Sequence, residues 1–378
     1  MKYFLKVLVI LVVSIAWSSC DKDFPVPQAS VVPKFTFTID NEGVAPANVT
    51  FTNNSIIPAA AGAVTYTWNF GDNTSSNEVN PVHLYQEAGI YEVKLVIISS
   101  GYGTIKEVSQ KVVIKDPNAS GIPIYFTNGT LVYSGLINDA IPVFEQIPVT
   151  NIQGSYGLCI DTIHNKLYIA DVDAGQIIQA DLDGKNQKVW RSGLDSPNGM
   201  AIDYQNNKMY WDNAAGIQRT DLNSDQADLY EDFVTGQAND PEDVAIDAVN
   251  RNLYWINYDG GVWVKGLDGG GEKEIIPDAE GGSIIVVGSK IYFDFYNGSG
   301  DIQLKSADLD GSNIATLATG ISRVMYGLGY EPSTDKIYYG DRNTGTIKRC
   351  NTDGSGNEVF YSAAGSSPRG IVFGKKKE

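Results

Sequence analysis

A tyrosine-centred strand recurs six times in the last two-thirds of this 378-residue chain. It reads Ile124-Tyr125-Phe126, Leu167-Tyr168-Ile169, Met209-Tyr210-Trp211, Leu253-Tyr254-Trp255, Ile291-Tyr292-Phe293 and Ile337-Tyr338-Tyr339, with successive tyrosines 38 to 46 residues apart. That is the period of a four-stranded propeller blade, a unit too small to bury its apolar faces without neighbours. An inner strand precedes the tyrosine strand in Gly157-Leu158-Cys159-Ile160-Asp161, Gly199-Met200-Ala201-Ile202-Asp203 and Asp243-Val244-Ala245-Ile246-Asp247, and in altered form at 283–287 and 327–331. A third strand ends in turns such as Asp181-Leu182-Asp183-Gly184 and Asp308-Leu309-Asp310-Gly311, where Asp-Gly marks a hairpin. The first tyrosine strand has no inner strand ahead of it, and the last inner strand, Gly370-Ile371-Val372-Phe373-Gly374, has no blade after it. The end of the chain is therefore predicted to complete the first blade, which removes two exposed sheet edges and closes a ring of six.

In such a ring the loops before the inner strands share a face with the loops between second and third strands. The residues just before the inner strands are Tyr156, Asn198, Glu242, Gly282, Tyr326 and Arg369. They are predicted to converge on the top of the central channel, and they differ from one another where the strand positions behind them agree. A second ring surrounds them: Asp171 and Asp173, Asn213, Asn257 and Asp259, Tyr296 and Asn297, Asp341 and Arg342. The candidate ligand-binding set is Tyr156, Asn198, Glu242, Tyr326 and Arg369, with Asp171, Asn213, Asn257 and Asp341 around it. Aromatic rings stack on apolar patches while amides and carboxylates fix orientation, which suits a glycan or a protein or peptide ligand. An ion pair between Glu242 and Arg369 that plugs the channel is the structural alternative.

The N-terminus reads as a targeting signal. Lys2 and Lys6 flank the start of an apolar run over 4–16, shorter than the roughly 20 residues of a membrane span and of signal-peptide length. Trp17-Ser18-Ser19-Cys20 follows. It resembles the lipobox of bacterial lipoproteins, with Trp17 in place of the usual aliphatic residue, which implies lipidation at Cys20. Asp21-Lys22-Asp23 resembles a surface-export signal of Bacteroidetes-like lipoproteins. The expected localisation is export with a lipid anchor in the outer membrane, facing either the periplasm or the cell surface. Residues 1–19 are then signal peptide and 20–32, with Pro25 and Pro27, an extended tether.

Residues 33–115 alternate apolar and polar positions, as in Phe35-Thr36-Phe37-Thr38-Ile39 and Tyr91-Glu92-Val93-Lys94-Leu95-Val96, between Asn, Gly, Ser and Pro turns. This predicts a small antiparallel sandwich. Tyr66-Thr67-Trp68-Asn69-Phe70-Gly71-Asp72, Pro81-Val82-His83-Leu84-Tyr85 and Gly89-Ile90-Tyr91-Glu92-Val93 resemble the PKD domain, an immunoglobulin-like module. Asn73 replaces the family's usual Gly and tolerates the same left-handed turn. The resemblance implies a spacer or adhesive unit, with His83 structural. Residues 116–121 are a linker, 122–374 the propeller and 375–378 a basic tail. The expected fold class is all-β: an immunoglobulin-like β-sandwich followed by a six-bladed β-propeller. Its repeats resemble the Tyr-Trp-Thr-Asp (low-density-lipoprotein-receptor class B) and NHL propellers; only Asp171 and Asp341 keep the final Asp of the four-residue motif.

A net charge of −17 excludes a nucleic-acid backbone as a favoured partner. Cys159 and Cys350 fall in different blades and are predicted to be unpaired core residues. His83 lies in the sandwich and His164 on the face opposite the ring, so no histidine base is placed at the mouth. The expected function is a membrane-anchored, outward-facing binding protein, a monomer, with the sandwich as spacer and no cofactor. The alternative is a metal-dependent propeller hydrolase or lyase of the lactonase kind. It would gather Glu242, Asn198 and Asp171 around calcium or another divalent metal on the same face.

Overall fold

The computed structural model describes residues 30–376 apart from 115–120, 138–141, 297 and 299. The signal segment 1–19, Cys20, most of the tether, most of the linker, Asn297 and the last two tail residues lie outside the described residues. The chain divides into two compact units at residues 119 and 120. Among the described residues the only helical elements are two short turns, Asn41–Gly43 and Ala59–Ala61, and no helix is long and apolar enough to cross a membrane.

The first unit is a sandwich. Strands Phe35–Ile39, Ala47–Asn53 and Val82–Tyr85 form one sheet; Ser75–Ser76, Val64–Asn69, Gly89–Ser99 and Thr104–Ile114 form the other. Period-two alternation sends Phe35, Val49, Phe51, Trp68, Val93, Leu95 and Val112 into one core. Polar atoms carried inward are satisfied. The Trp68 indole N–H donates to Glu78 O at 3.0 Å and the Tyr85 hydroxyl to Phe70 O at 2.8 Å. His83 stacks flat on Phe70, with centroids 4.1 Å apart, and its Nε2 lies 2.6 Å from Asp72 Oδ2. Asp72 Oδ1 accepts from the Thr74 amide, closing a turn in which Asn73 has φ 69°. The motif histidine thus ties its own sheet to a turn of the opposite sheet.

The second unit is a six-bladed propeller of four-stranded antiparallel sheets. From the inside outward, the blade that joins both ends of the unit contains Arg369–Phe373, Pro123–Asn128, Leu131–Leu136 and Glu145–Ile147. The remaining inner strands are Ser155–Asp161, Met200–Asp203, Pro241–Asp247, Ile284–Val287 and Leu328–Glu331, and they neighbour one another in a closed circle with Arg369–Phe373. The final strand completes this blade antiparallel to the first tyrosine strand, with Val372 opposite Tyr125 and Phe373 opposite Ile124.

The repeated residues have repeated jobs. The six tyrosines are buried between blades. Tyr254 donates to Leu309 O and Tyr292 to Thr352 O, each in the third-strand turn of the next blade. The acid ending an inner strand caps the turn that follows. Asp161 accepts from the amides of Ile163 and His164, Asp247 from Val249 and Asn250, and Glu331 from Ser333 and Thr334. Such bonds satisfy turn amides that no strand can reach. The blade with Ile284–Val287 dispenses with the acid because its turn is only Gly288-Ser289, with Gly288 at φ 58°. Cys159 and Cys350 are buried and free.

Candidate functional site

Packing at the axis decides what each position of the inner ring can hold. Gly157, Gly199, Gly327 and Gly370 follow four of the six ring residues, because inner strands leave no room there. A Cβ on Gly157 would lie 1.7 Å from Asn198 O and one on Gly370 2.8 Å from Leu158 N. Gly282 is a ring position without a side chain for the same reason: a Cβ would meet Met325 O at 2.7 Å and the Tyr326 ring at 2.8 Å. The remaining five side chains project at the mouth.

They divide by charge. Asn198, 4% exposed, donates from Nδ2 to Glu242 Oε2 at 2.5 Å. Beneath Glu242 lies Asp243, where sibling blades have Gly or Ser. Its carboxylate fills the space that Gly199 leaves open and accepts from the amides of Ile284 and Val244. Asp294 accepts from Gly282 and Ser283 with one oxygen and from Met325 with the other, tying its blade to the next. Asp212 is fully buried, and neither of its carboxylate oxygens has a hydrogen-bond partner among the described residues. Burial pushes the Glu242 carboxyl up to about 8 against the Asn198 bond, with Asp240, Asp294 and Asp243 adding repulsion. Burial likewise raises Asp243 and Asp294 to about 7 against their amide bonds. Asp212 is held well above the carboxylate range by burial, then by Glu242 and Asp243. This side of the mouth therefore holds protons at neutral pH.

The other side is basic and aromatic. Tyr156 and Tyr326 meet edge to face, 4.8 Å apart at 87°. The Arg369 guanidinium lies 3.8 Å from the Tyr156 centroid and donates to Ser155 O at 3.2 Å. Arg342 packs on Tyr326 at 4.8 Å and Tyr156 at 5.4 Å, and donates to Val324 O at 3.3 Å. Glu242 and Arg369 do not form the plug considered from sequence; each is engaged on its own side of the mouth. Burial, then Arg369 and Arg323, depress the Arg342 guanidinium to about 10. Burial, then Glu242, raises the Tyr326 phenol.

Below the ring a cavity of about 590 Å³ follows the channel, lined by Leu158, Met200, Val244, Ile284, Leu328 and Ile371. Beside the ring, on the same face, a cleft of about 410 Å³ is lined by Tyr258, Asp259, Glu280, Tyr296 and Arg323.

The outer ring is not brought to the mouth as a set. Asp171 is wholly buried and accepts from the amides of Gln153 and Gly154 and from Gln176. Asp341, also buried, holds Ser322 and Lys348; Asn257 bonds Gln237; Asn213 accepts from the Ala215 amide. These residues fasten the loops on which the inner ring stands. Asp171 therefore does not join Glu242 and Asn198, and among the described residues no three His, Cys, Asp or Glu side chains are grouped to hold a metal ion. The residues sequence reasoning missed are Asp243, Asp294 and Asp212. The available signal was an acid standing where siblings carry Gly, Ser, Thr, Ala or Ile, visible only once the blades are aligned through their tyrosines.

An immunoglobulin-like sandwich joined to a six-bladed propeller is thus the class that fold and mouth define. Residues 30–114 match the PKD domain family, and that segment is a PKD domain. The chain is 35% identical over 78 residues to Collagenase ColA of Bacillus cereus, a match that spans 21% of this chain and 8% of the collagenase. TolB from Acinetobacter baumannii has a similar fold, with a TM-score of 0.54 at 11% identity over 76% of this chain and 80% of that one. An auxiliary nutrient binding protein from Bacteroides thetaiotaomicron aligns over 90% of this chain and 88% of its own, at 13% identity and a TM-score of 0.49.

Proposed function

We propose that this chain is an exported, lipid-anchored binding protein whose propeller takes a glycan or peptide ligand at the mouth of its channel. The PKD domain is the spacer that carries the propeller outward. The observation that carries this reading is the mouth itself. Five polar and aromatic side chains of four types stand around one opening, beside a cleft with two further tyrosines. Burial of amphipathic rings beside oriented amide and carboxyl groups is the chemistry of small polar-ligand sites. Support for an extracellular setting comes from the PKD match and from the signal-like N-terminus with Cys20.

The test is binding of the solubilised full chain to glycan and peptide arrays, with Glu242→Ala and Tyr326→Ala beside the parent. Whatever ligand the parent captures is expected to be lost or strongly weakened in both. Undiminished binding by both variants removes the mouth as the site.

A further inference from the structure

The basic side of the mouth holds two guanidinium groups with no counter-ion among the described residues. Arg342 is 4% exposed and its Nε has no hydrogen-bond partner among the described residues. The Nε of Arg369 is likewise buried and unpartnered. Each guanidinium has one bond, to a main-chain carbonyl, and both lie against Tyr156. Among the described residues no carboxylate lies within 4.0 Å of either. Arg191 is also buried against a ring without a carboxylate among the described residues, but its two terminal nitrogens are spent on Trp190 O, Ser224 O, Asp221 O and the Thr220 hydroxyl. Three further arginines of the propeller are paired with acids. Arg251 forks onto Asp203 and Asp268, Arg219 meets Glu231 and Arg349 meets Glu358. Buried charge is normally paired, and two like charges packed on one ring repel as well. The arrangement persists because the tyrosine faces and carbonyls hold the side chains in place, leaving donors for an oxyanion that protein groups do not supply.

Resting on the reading of the mouth as the binding site, we infer that Arg342 and Arg369 form an oxyanion subsite that takes the carboxylate of an acidic sugar. The sugar is favoured over an acidic peptide by what surrounds the pair. Across the opening stand Asn198 and Glu242, groups that exchange hydrogen bonds with hydroxyls, and the adjoining cleft carries Asp259 and Glu280. A ligand with one carboxylate among many hydroxyls meets that surface without repulsion. A chain of acidic side chains does not, on a protein whose net charge is −17.

Calorimetric titration of the solubilised full chain tests this with a glucuronic-acid-terminated disaccharide, its methyl ester, and a tripeptide with a free C-terminal carboxylate. The acid is expected to bind at least about tenfold more tightly than the ester, the factor a charge-assisted bidentate contact supplies. Arg369→Gln and Arg342→Gln are expected to weaken the acid more than the ester and so to remove that preference. The ester comparison needs no altered protein, so a variant that fails to fold does not spoil the test. Equal binding of acid and ester overturns the subsite and leaves the mouth standing as a glycan site. Binding of the tripeptide in preference to the sugar overturns the sugar assignment. Failure of both acids to bind overturns the inference, whereas the proposed function stands or falls separately on the array result with Glu242→Ala and Tyr326→Ala.

Discussion

Replacing Glu242 by Gln removes one titrating carboxyl from the channel mouth while keeping its shape and its capacity to accept from Asn198 Nδ2. The native carboxyl titrates at about 8 against an ordinary 4.5, first because burial penalises the anion. The folded pKa is raised, so the native state binds more protons than the unfolded chain between the two values. Stability from this group is fully present below about pH 4.5 and is lost as pH rises through about 8. At 1.36 kcal/mol per unit, a shift from 4.5 to about 8 sets a ceiling of about 5 kcal/mol. Water at the mouth and shared protonation with Asp243 and Asp294 lower the expected loss to about 2 to 3 kcal/mol. The assay is thermal unfolding of parent and Glu242→Gln from pH 4 to pH 9. The difference in Tm should be small at pH 4, grow in favour of the variant up to about pH 8, and then level off. About 2 kcal/mol corresponds to a Tm gain of roughly 4 °C or more for a domain of this size. Parallel Tm curves across the whole range refute the reasoning, because they place the Glu242 carboxylate in an environment that solvates its charge.

Other consequences follow from the same geometry. Deleting residues 369–378 removes the strand that closes the first blade, and the propeller should lose its cooperative unfolding transition while the PKD domain keeps its own, as seen by calorimetry. Arg251→Ala strands the buried Asp203 carboxylate, which the guanidinium grips through both oxygens, and should cost about 3 kcal/mol by denaturant unfolding at pH 7. Burial opposes and the Arg251 bonds outweigh it in holding Asp203 below the usual carboxylate range. The Arg251→Ala deficit should therefore shrink as pH falls below about 4, where protonation removes the need for a partner. Tyr85→Phe leaves Phe70 O without its donor in the PKD core and should destabilise that domain by about 1 to 2 kcal/mol. Gly282→Ala forces a methyl against Met325 O and should lower the propeller Tm without changing the PKD transition.

The period of the tyrosine strand determined the number of blades, their strand order and the closure by the final strand, because each blade must solve the same packing problem with the same few side chains. Local chemistry was legible for the same reason: Asp161, Asp247 and Glu331 bond amides two or three residues away. The alternation in the sandwich and the Trp68, His83 and Tyr85 motif were equally plain. What the sequence could not assign was the partner of each polar group at the axis, where contacts join blades and have no period. Asp171 and Asp341 looked like ligand donors, yet each is spent on the loop that carries an inner-ring residue. Asp243 looked like ordinary strand, yet it enters the gap left by Gly199 in the neighbouring blade. Arg369 and the carbonyl it grips at Ser155 are 214 residues apart in the chain. The scaffold was written in the repeat, whereas the charge division of the mouth came only from closing the ring, which sets side chains from opposite ends of the domain on one tyrosine.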